Sequence, residues 1–122
     1  MTKILIAEDE KDIRDLIMLT LQFSGFEVVS ARDGAEAVEL APTAKFDLIM
    51  MDVRMPRMTG YEACREIKKM DGMDQIPVIF LSAKGQETEV QEGIEAGAVA
   101  YVLKPFAPDQ LIRKINEVLK SG

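Results

Sequence analysis

The chain has 122 residues, a length that fits one domain, and its 48% hydrophobic and 30% charged residues are typical of a folded soluble protein. The net charge of −6, without a cluster of lysine and arginine, disfavours direct binding to nucleic acid. The absence of histidine excludes the usual zinc ligand and the Ser-His and Cys-His nucleophile pairs.

Other compositional features bear on location and domain organisation. No apolar run approaches the roughly 20 residues of a membrane span, and the N-terminus does not resemble a signal peptide. The single cysteine, Cys64, cannot form an internal disulfide and favours a reducing cytoplasm. We therefore expect a cytoplasmic protein with no membrane contact, folded as one domain over residues 1–122, with no room for an attached output domain.

Five short apolar segments alternate with longer amphipathic segments. The apolar runs, at residues 3–7, 26–31, 46–51, 77–81 and 100–103, are nearly continuous, as strands buried on both faces of a sheet should be. Between them, stretches of about 10–15 residues carry apolar side chains three and four positions apart, which predicts crossover helices. This (βα)5 order predicts an α/β fold with a doubly wound, five-stranded parallel sheet.

Local signals mark where several of these helices begin and end. Residues typical of helix caps and first turns are Asp33 with Glu36, Thr59 with Glu62, Pro108, Gly25 and Gly97. The fourth predicted helix, at about residues 86–96, is the weakest because Gly93 lies in its interior. A weak helix here is either simply tolerated or is the part of the molecule that moves.

Polar side chains follow four of the five predicted strands. Glu8 and Asp9 come after the first strand, Asp52 after the third, Ser82 after the fourth and Lys104 after the fifth. In open parallel sheets, ligands bind beyond the carboxyl ends of the strands, at the point where the strand order reverses. With the strand order 2-1-3-4-5, the first and third strands flank that point, so we expect the three carboxylates to converge there.

Three carboxylates in one crevice require either protonation or a bound cation. Oxygen ligands without histidine or cysteine favour Mg²⁺, Mn²⁺ or Ca²⁺. A lysine ammonium and a serine hydroxyl beside such an ion suit the stabilisation of charge on a transferring phosphoryl group. Asp52 is the candidate nucleophile, because a carboxylate can accept phosphate as an aspartyl-phosphate.

Four motifs together resemble the receiver domain of two-component response regulators, the CheY-like family. They are ED at 8–9, MDVRMPRMTGYE at 51–62, LSAK at 81–84 and AGAVAYVLKPF at 96–106. Each motif is weak alone, but their order and spacing over essentially the whole chain are specific. The resemblance implies a flavodoxin-like fold with the strand order 2-1-3-4-5 and a signalling switch rather than a metabolic enzyme.

The resemblance also implies a role for each site residue. Asp52 would be the phosphoacceptor. Mg²⁺, or alternatively Mn²⁺, would be held directly by Asp9, through water by Glu8, and by Asp52 and the backbone carbonyl of Arg54. Ser82 and Tyr101 would be the switch residues, Lys104 would bind the phosphoryl oxygens, and the Lys104–Pro105 peptide bond would be cis. Arg54 and Lys84 would tune dephosphorylation.

The partners that the resemblance implies are proteins. The donor would be a phosphohistidine on a sensor histidine kinase or phosphotransfer protein, and the chain would catalyse its own phosphorylation and slow autodephosphorylation. A downstream protein target would read the surface formed by the fourth helix, the fifth strand and the fifth helix. A monomer and a phosphorylation-dependent homodimer both stay open, and Ile13 and Leu16 either help to dock the donor or belong to the core.

Three other interpretations are weighed against this one. An aspartate-based phosphatase of the haloacid-dehalogenase type needs a second aspartate two residues after the nucleophile, where this chain has Arg54. A flavodoxin-like flavin carrier needs a phosphate-binding loop rich in serine and threonine after the first strand, where this chain has Glu8, Asp9 and Glu10. A pseudo-receiver that binds partners independently of phosphate would lack some of the key residues, which are all present here.

Overall fold

The computed structural model describes residues 1–83, 97 and 100–121. The strands are β1 (Lys3–Ala7), β2 (Glu27–Ala31), β3 (Leu48–Asp52), β4 (Val78–Ala83) and β5 (Ala100–Lys104). The helices are α1 (Lys11–Phe23), α2 (Gly34–Leu40), α3 (Gly60–Lys68) and the C-terminal helix (Pro108–Ser121), with a short 3-10 helix at Ala41–Thr43. The predicted fourth helix and Lys84 lie outside the described residues.

The five strands form one parallel sheet in the order β2-β1-β3-β4-β5, which confirms the predicted fold and topology. The register pairs Ala7 with Met51, and Asp52 with Leu81. Lys104 pairs with Ala83. The carboxyl ends of β1, β3, β4 and β5 therefore lie along one edge of the sheet, where the predicted site residues are placed.

The strands differ slightly from their predicted bounds. β3, β4 and β5 each extend at least one residue beyond the predicted apolar run, so that Asp52, Ser82 and Lys104 belong to the strands themselves. Ladder hydrogen bonding, rather than hydrophobicity, decides where a strand ends, and polar residues at a functional edge take part in it. These three side chains are consequently attached to the sheet itself, whereas Glu8 and Asp9 follow the end of β1.

Alternate strand residues face opposite sides of the sheet and build two cores. One core contains Leu5, Ile49, Met51 and Phe80 from the strands, covered by Ala37 of α2 and Cys64 and Ile67 of α3. The other contains Ile4, Ile6, Met50 and Leu81, covered by Ile17 and Leu21 of α1 and Leu111 and Ile115 of the C-terminal helix. Helices on both faces give the doubly wound arrangement.

Helix ends follow the predicted signals. Asp33 caps α2 by accepting a hydrogen bond from the backbone N–H of Glu36, and Thr59 and Glu62 form the predicted capping box of α3. The left-handed Gly25, with φ of 91°, ends α1, because its N–H and that of the next residue satisfy the last helical carbonyls. Within the described part of the chain, no helix is long and apolar enough to cross a membrane.

Candidate functional site

Three carboxylates meet where the sheet reverses its strand order. Glu8 is fully buried, Asp52 is 7% exposed, and Asp9 is exposed at the rim. One carboxylate oxygen from each residue lies within 4.8 Å of the others. We call Glu8, Asp9 and Asp52 the acidic cluster, and its assembly is the convergence expected from the strand ends.

Lys104 supplies the positive charge next to the acidic cluster. Its Nζ donates to Asp52 Oδ2 at 2.5 Å and to Glu8 Oε2 at 3.2 Å. Burial lowers the pKa of Lys104, but the hydrogen bonds and charges of Asp52 and Glu8 outweigh it and raise the pKa above its ordinary value. The ammonium therefore stays charged. The peptide bond between Lys104 and Pro105 is cis, the conformation that the resemblance implies.

The acidic cluster holds more negative charge than Lys104 alone can balance. Burial, together with a hydrogen bond to Asp52 and the repulsion of its charge, raises the pKa of Glu8 from 4.5 to about 8. At neutral pH and without a cation, Glu8 therefore keeps its proton. The donor set consists of carboxylate oxygens, and histidine and cysteine take no part in it, so it fits a hard divalent cation such as Mg²⁺ or Mn²⁺.

Backbone contacts hold the acidic cluster in place. The Arg14 guanidinium, on the first turns of α1, donates to the carbonyl oxygens of Glu8 at 2.9 Å and Asp9 at 3.5 Å. The backbone N–H of Arg54 donates to Asp52 Oδ1 at 3.3 Å, so the main chain of Arg54 lies beside the acidic cluster. The sequence reasoning did not identify Arg14.

Close contacts fix the loop that follows Asp52. A Cβ added to Gly60 would lie 2.3 Å from the carbonyl oxygen of Asp52, so only glycine lets α3 begin so close to the end of β3. Arg57 has a left-handed φ of 67°, and its guanidinium forms two hydrogen bonds, at 2.9 and 3.0 Å, with the Asp33 carboxylate. This Arg57–Asp33 pair joins the loop to the start of α2.

The predicted switch residues lie on neighbouring strands. Ser82 is 1% exposed on β4, one residue past Leu81, the register partner of Asp52. Tyr101 is half-buried on β5, opposite Phe80, and its ring packs against that of Phe80. Arg54 is exposed beside the site, and Lys84, the other predicted tuning residue, lies outside the described residues.

Comparisons with known proteins identify similar chains. The response regulator receiver domain model matches residues 4–116. The alkaline phosphatase synthesis transcriptional regulatory protein PhoP of Bacillus subtilis is 37% identical over 97% of this chain and 48% of its own length. The probable transcriptional regulator ycf27 of Galdieria sulphuraria is 42% identical over 97% of this chain and 45% of its own length. The chain thus spans about half the length of the curated relatives it matches.

Two solved structures of similar chains match over nearly their whole length. The chemotaxis response regulator CheY4 of Vibrio cholerae is 36% identical, with a TM-score of 0.92 over 97% of this chain and 98% of CheY4. The receiver domain of sensor histidine kinase PA1611 from Pseudomonas aeruginosa PAO1 is 31% identical, with a TM-score of 0.90 over 98% of each chain. That structure has a magnesium ion coordinated in its active-site cleft.

Proposed function

The chain belongs to the response regulator receiver domain family, a signalling module of two-component systems and not a metabolic enzyme, and on that basis we propose that Asp52 accepts a phosphoryl group. The observation that carries the proposal is the position of Asp52, which belongs to the acidic cluster and accepts a hydrogen bond from the ammonium of Lys104. No other carboxylate in the described part of the chain belongs to such a group of three acids.

The proposed reaction transfers the phosphoryl group from a phosphohistidine donor. A carboxylate oxygen of Asp52 forms a bond to phosphorus as the bond between phosphorus and the donor's ring nitrogen breaks, and the imidazole leaves with that electron pair. Lys104, already hydrogen-bonded to Asp52 Oδ2, is placed to bind the phosphoryl oxygens. Water later attacks the aspartyl-phosphate, so the same site supports slow autodephosphorylation.

Glu8, Asp9, Asp52 and the backbone carbonyl of Arg54 would hold Mg²⁺, or Mn²⁺ in its place. Such an ion neutralises charge on the transferring phosphoryl oxygens. The neighbour with a magnesium ion in its cleft supports this assignment, as does the all-oxygen donor set. The protein holds the acids together against their mutual repulsion. Arg14 on α1 donates to the main-chain carbonyl of Glu8, and the backbone N–H of Arg54 donates to the Asp52 carboxylate.

Ser82 and Tyr101 would report phosphorylation to a partner. The Ser82 hydroxyl would turn toward the phosphoryl group, and Tyr101 would pack further inward as it does so, which changes the surface around β5 and the C-terminal helix. A downstream protein target would read that surface. Whether the signal is carried by a monomer or by a phosphorylation-dependent homodimer stays open.

An apolar groove beside the site would receive the phosphodonor. It has a volume of about 380 Å³ and is lined by Ile13, Leu16, Lys104, Pro105 and Phe106. Leu16 is 47% exposed on α1. This exposure favours a role in docking the phosphodonor over a position in the core. A histidine-bearing helix of a sensor histidine kinase or phosphotransfer protein seated there would lie next to Asp52, because Lys104 borders both.

Two further predictions belong to the proposal. A cytoplasmic location stays a prediction drawn from the single cysteine. The absence of direct nucleic-acid contact also stays a prediction for this chain, since PhoP and ycf27 are named as transcriptional regulators and about half of each lies beyond the match. The partners and activity of any longer protein are likewise proposals.

Arg54 and Lys84 would tune the lifetime of the phosphoryl group. The exposed Arg54 side chain stands two residues after Asp52, where it can crowd the phosphoryl group and impede the attacking water. Arg54→Ala should therefore speed hydrolysis of the aspartyl-phosphate, measured as loss of the phosphoryl adduct over time after the donor is removed. An unchanged rate would show that Arg54 has no such role.

The proposal is tested by incubating the protein with acetyl phosphate and recording its intact mass, with Mg²⁺ and with a chelator in its place. We expect one phosphoryl adduct that requires Mg²⁺, is lost in Asp52→Asn and persists in Asp71→Asn, a matched change of an exposed aspartate. No adduct, under conditions where a known receiver domain is labelled, would favour a phosphate-independent binding module.

A further inference from the structure

Three aromatic side chains form a continuous contact from α3 to β5. Tyr61 meets Phe80 edge to face, with ring centroids 4.9 Å apart and an interplanar angle of 89°. Phe80, fully buried on β4, in turn contacts the ring of Tyr101 at 5.7 Å and 50°. The hydroxyl of Tyr101 also donates to the hydroxyl of Tyr61 across 3.5 Å. The two tyrosines thus meet at their polar ends as well as through Phe80.

The two tyrosines differ in how firmly they are held. Tyr61 is 4% exposed in the first turn of α3, directly after Gly60, whose N–H donates to the carbonyl of Val53 at 2.9 Å. The capping box at Thr59 fixes the same turn. Tyr101 instead lies half-buried on β5, which is an edge strand. The hydroxyl of Tyr61 is therefore the fixed partner, and the side chain of Tyr101 is the adjustable one.

We propose that the hydroxyl of Tyr61 holds Tyr101 against the core before Asp52 is phosphorylated, so that Tyr61 is a positioning residue for the switch. The inference rests on the proposed function for the role of Tyr101. A buried phenol is stabilised by a hydrogen-bonding partner. The hydrogen bond with the Tyr61 hydroxyl therefore stabilises Tyr101 when it lies inward, and it is lost when Tyr101 turns outward. Tyr61 thereby sets the fraction of molecules with Tyr101 inward before phosphorylation. Phosphorylation then shifts the remaining molecules to the inward state.

The chain offers a clean way to test this inference, because it has two tyrosines and no tryptophan. Tyr61→Phe keeps the ring against Phe80 and leaves Tyr101 as the single tyrosine, and Tyr101→Phe assigns the signals of Tyr61. With carbon-labelled tyrosine rings, the broadening of each ring signal by a soluble nitroxide measures its exposure in the unphosphorylated protein. Loss of one neutral hydrogen bond of this length should raise the ratio of outward to inward Tyr101 about two- to fivefold.

A double-mutant cycle supplies the second readout. We expect the Tm change of the Tyr61→Phe/Tyr101→Phe double variant to be smaller than the sum of the two single changes, since either single change already removes the same hydroxyl pair. Equal exposure of Tyr101 in parent and Tyr61→Phe would overturn the inference, and so would additive Tm changes.

The same samples separate this inference from the proposed function. Acetyl phosphate should label Tyr61→Phe to the same extent as the parent, and the label should restore the protection of Tyr101 in that variant. An unlabelled parent, with Tyr101 still more exposed in Tyr61→Phe, would overturn Asp52 as acceptor and leave the pairing of the two tyrosines intact.

Discussion

Glu8 should couple the stability of the metal-free protein to pH. Its pKa is raised by burial and by Asp52 from 4.5 to about 8 in the folded state. Because the folded pKa lies above the unfolded value, the stabilising contribution is complete below about pH 4.5 and is lost as the pH rises through about 8. The metal-free protein should therefore become less stable as it is taken from pH 5 to pH 8.

The size of the effect follows from proton counting. Between the two pKa values, folded Glu8 keeps up to one proton that the unfolded chain has lost. The free energy of unfolding therefore falls by at most about 1.4 kcal/mol for each pH unit of increase. A divalent cation that needs the ionised acid must displace that proton, so its affinity should rise by up to about tenfold per pH unit below pH 8 and level off above it. Stability and metal affinity thus change in opposite directions over the same pH range.

The side chain that most often titrates in this pH window is histidine. The chain has no histidine, and the buried Cys64 thiol has its pKa raised by burial to about 11. Urea unfolding with a chelator, at pH 5, 6, 7 and 8, gives the stability of the parent and of Glu8→Gln. Magnesium titrations followed by amide NMR at pH 6 to 9 give the affinity of the same two proteins.

Glu8→Gln is the matched control, because glutamine keeps the shape of the protonated acid but cannot ionise. We expect the stability of the variant to fall less than that of the parent between pH 5 and 8, and its weaker magnesium affinity to change little with pH. Parallel stability curves for the two proteins, or a parent affinity that is flat from pH 6 to 8, would refute the assignment of this proton to Glu8.

Two further predictions concern the loop after Asp52. Gly60→Ala and Gly34→Ala each place a Cβ 2.2–2.3 Å from a backbone carbonyl oxygen, so both should destabilise the fold by about 1–3 kcal/mol, measured by urea unfolding. Only Gly60→Ala displaces Asp52 itself, so acetyl phosphate should label Gly60→Ala less than Gly34→Ala. Equal labelling of the two variants would show that the close contact between Gly60 and Asp52 does not matter for phosphorylation. Arg57→Ala should lower the Tm by removing the bidentate pair with Asp33, whereas Arg57→Gly should lower the Tm less because glycine relaxes the left-handed φ of 67°. A lower Tm for Arg57→Gly than for Arg57→Ala would show that the backbone at this position carries no strain.

The features that sequence reasoning predicted correctly are local or periodic. The caps at Asp33 and Thr59 each depend on a residue three positions away, and both form as predicted. The apolar runs identified all five strands, because strands buried on both faces leave a nearly continuous hydrophobic signal. The acidic cluster could be anticipated because the carboxyl ends of parallel strands share one edge of the sheet.

The features it missed depend on contacts between distant parts of the chain. The hydroxyls of Tyr61 and Tyr101 are 40 positions apart in sequence, and Arg57 and Asp33 are 24 apart. Nothing in the neighbouring residues indicates that Arg57 adopts a left-handed φ, since that conformation is more usual for glycine. The complete burial of Glu8, which raises its pKa, likewise depends on packing that the strand ends alone do not specify.

The central claim is that Asp52 itself carries the phosphoryl group, and locating the modification tests it most directly. After incubation with acetyl phosphate and Mg²⁺, borohydride reduces an aspartyl-phosphate to homoserine, which tandem mass spectrometry places at one position of the chain. We expect homoserine at position 52 and unmodified aspartate at position 9. Homoserine at another aspartate, with Asp52 intact, would contradict it.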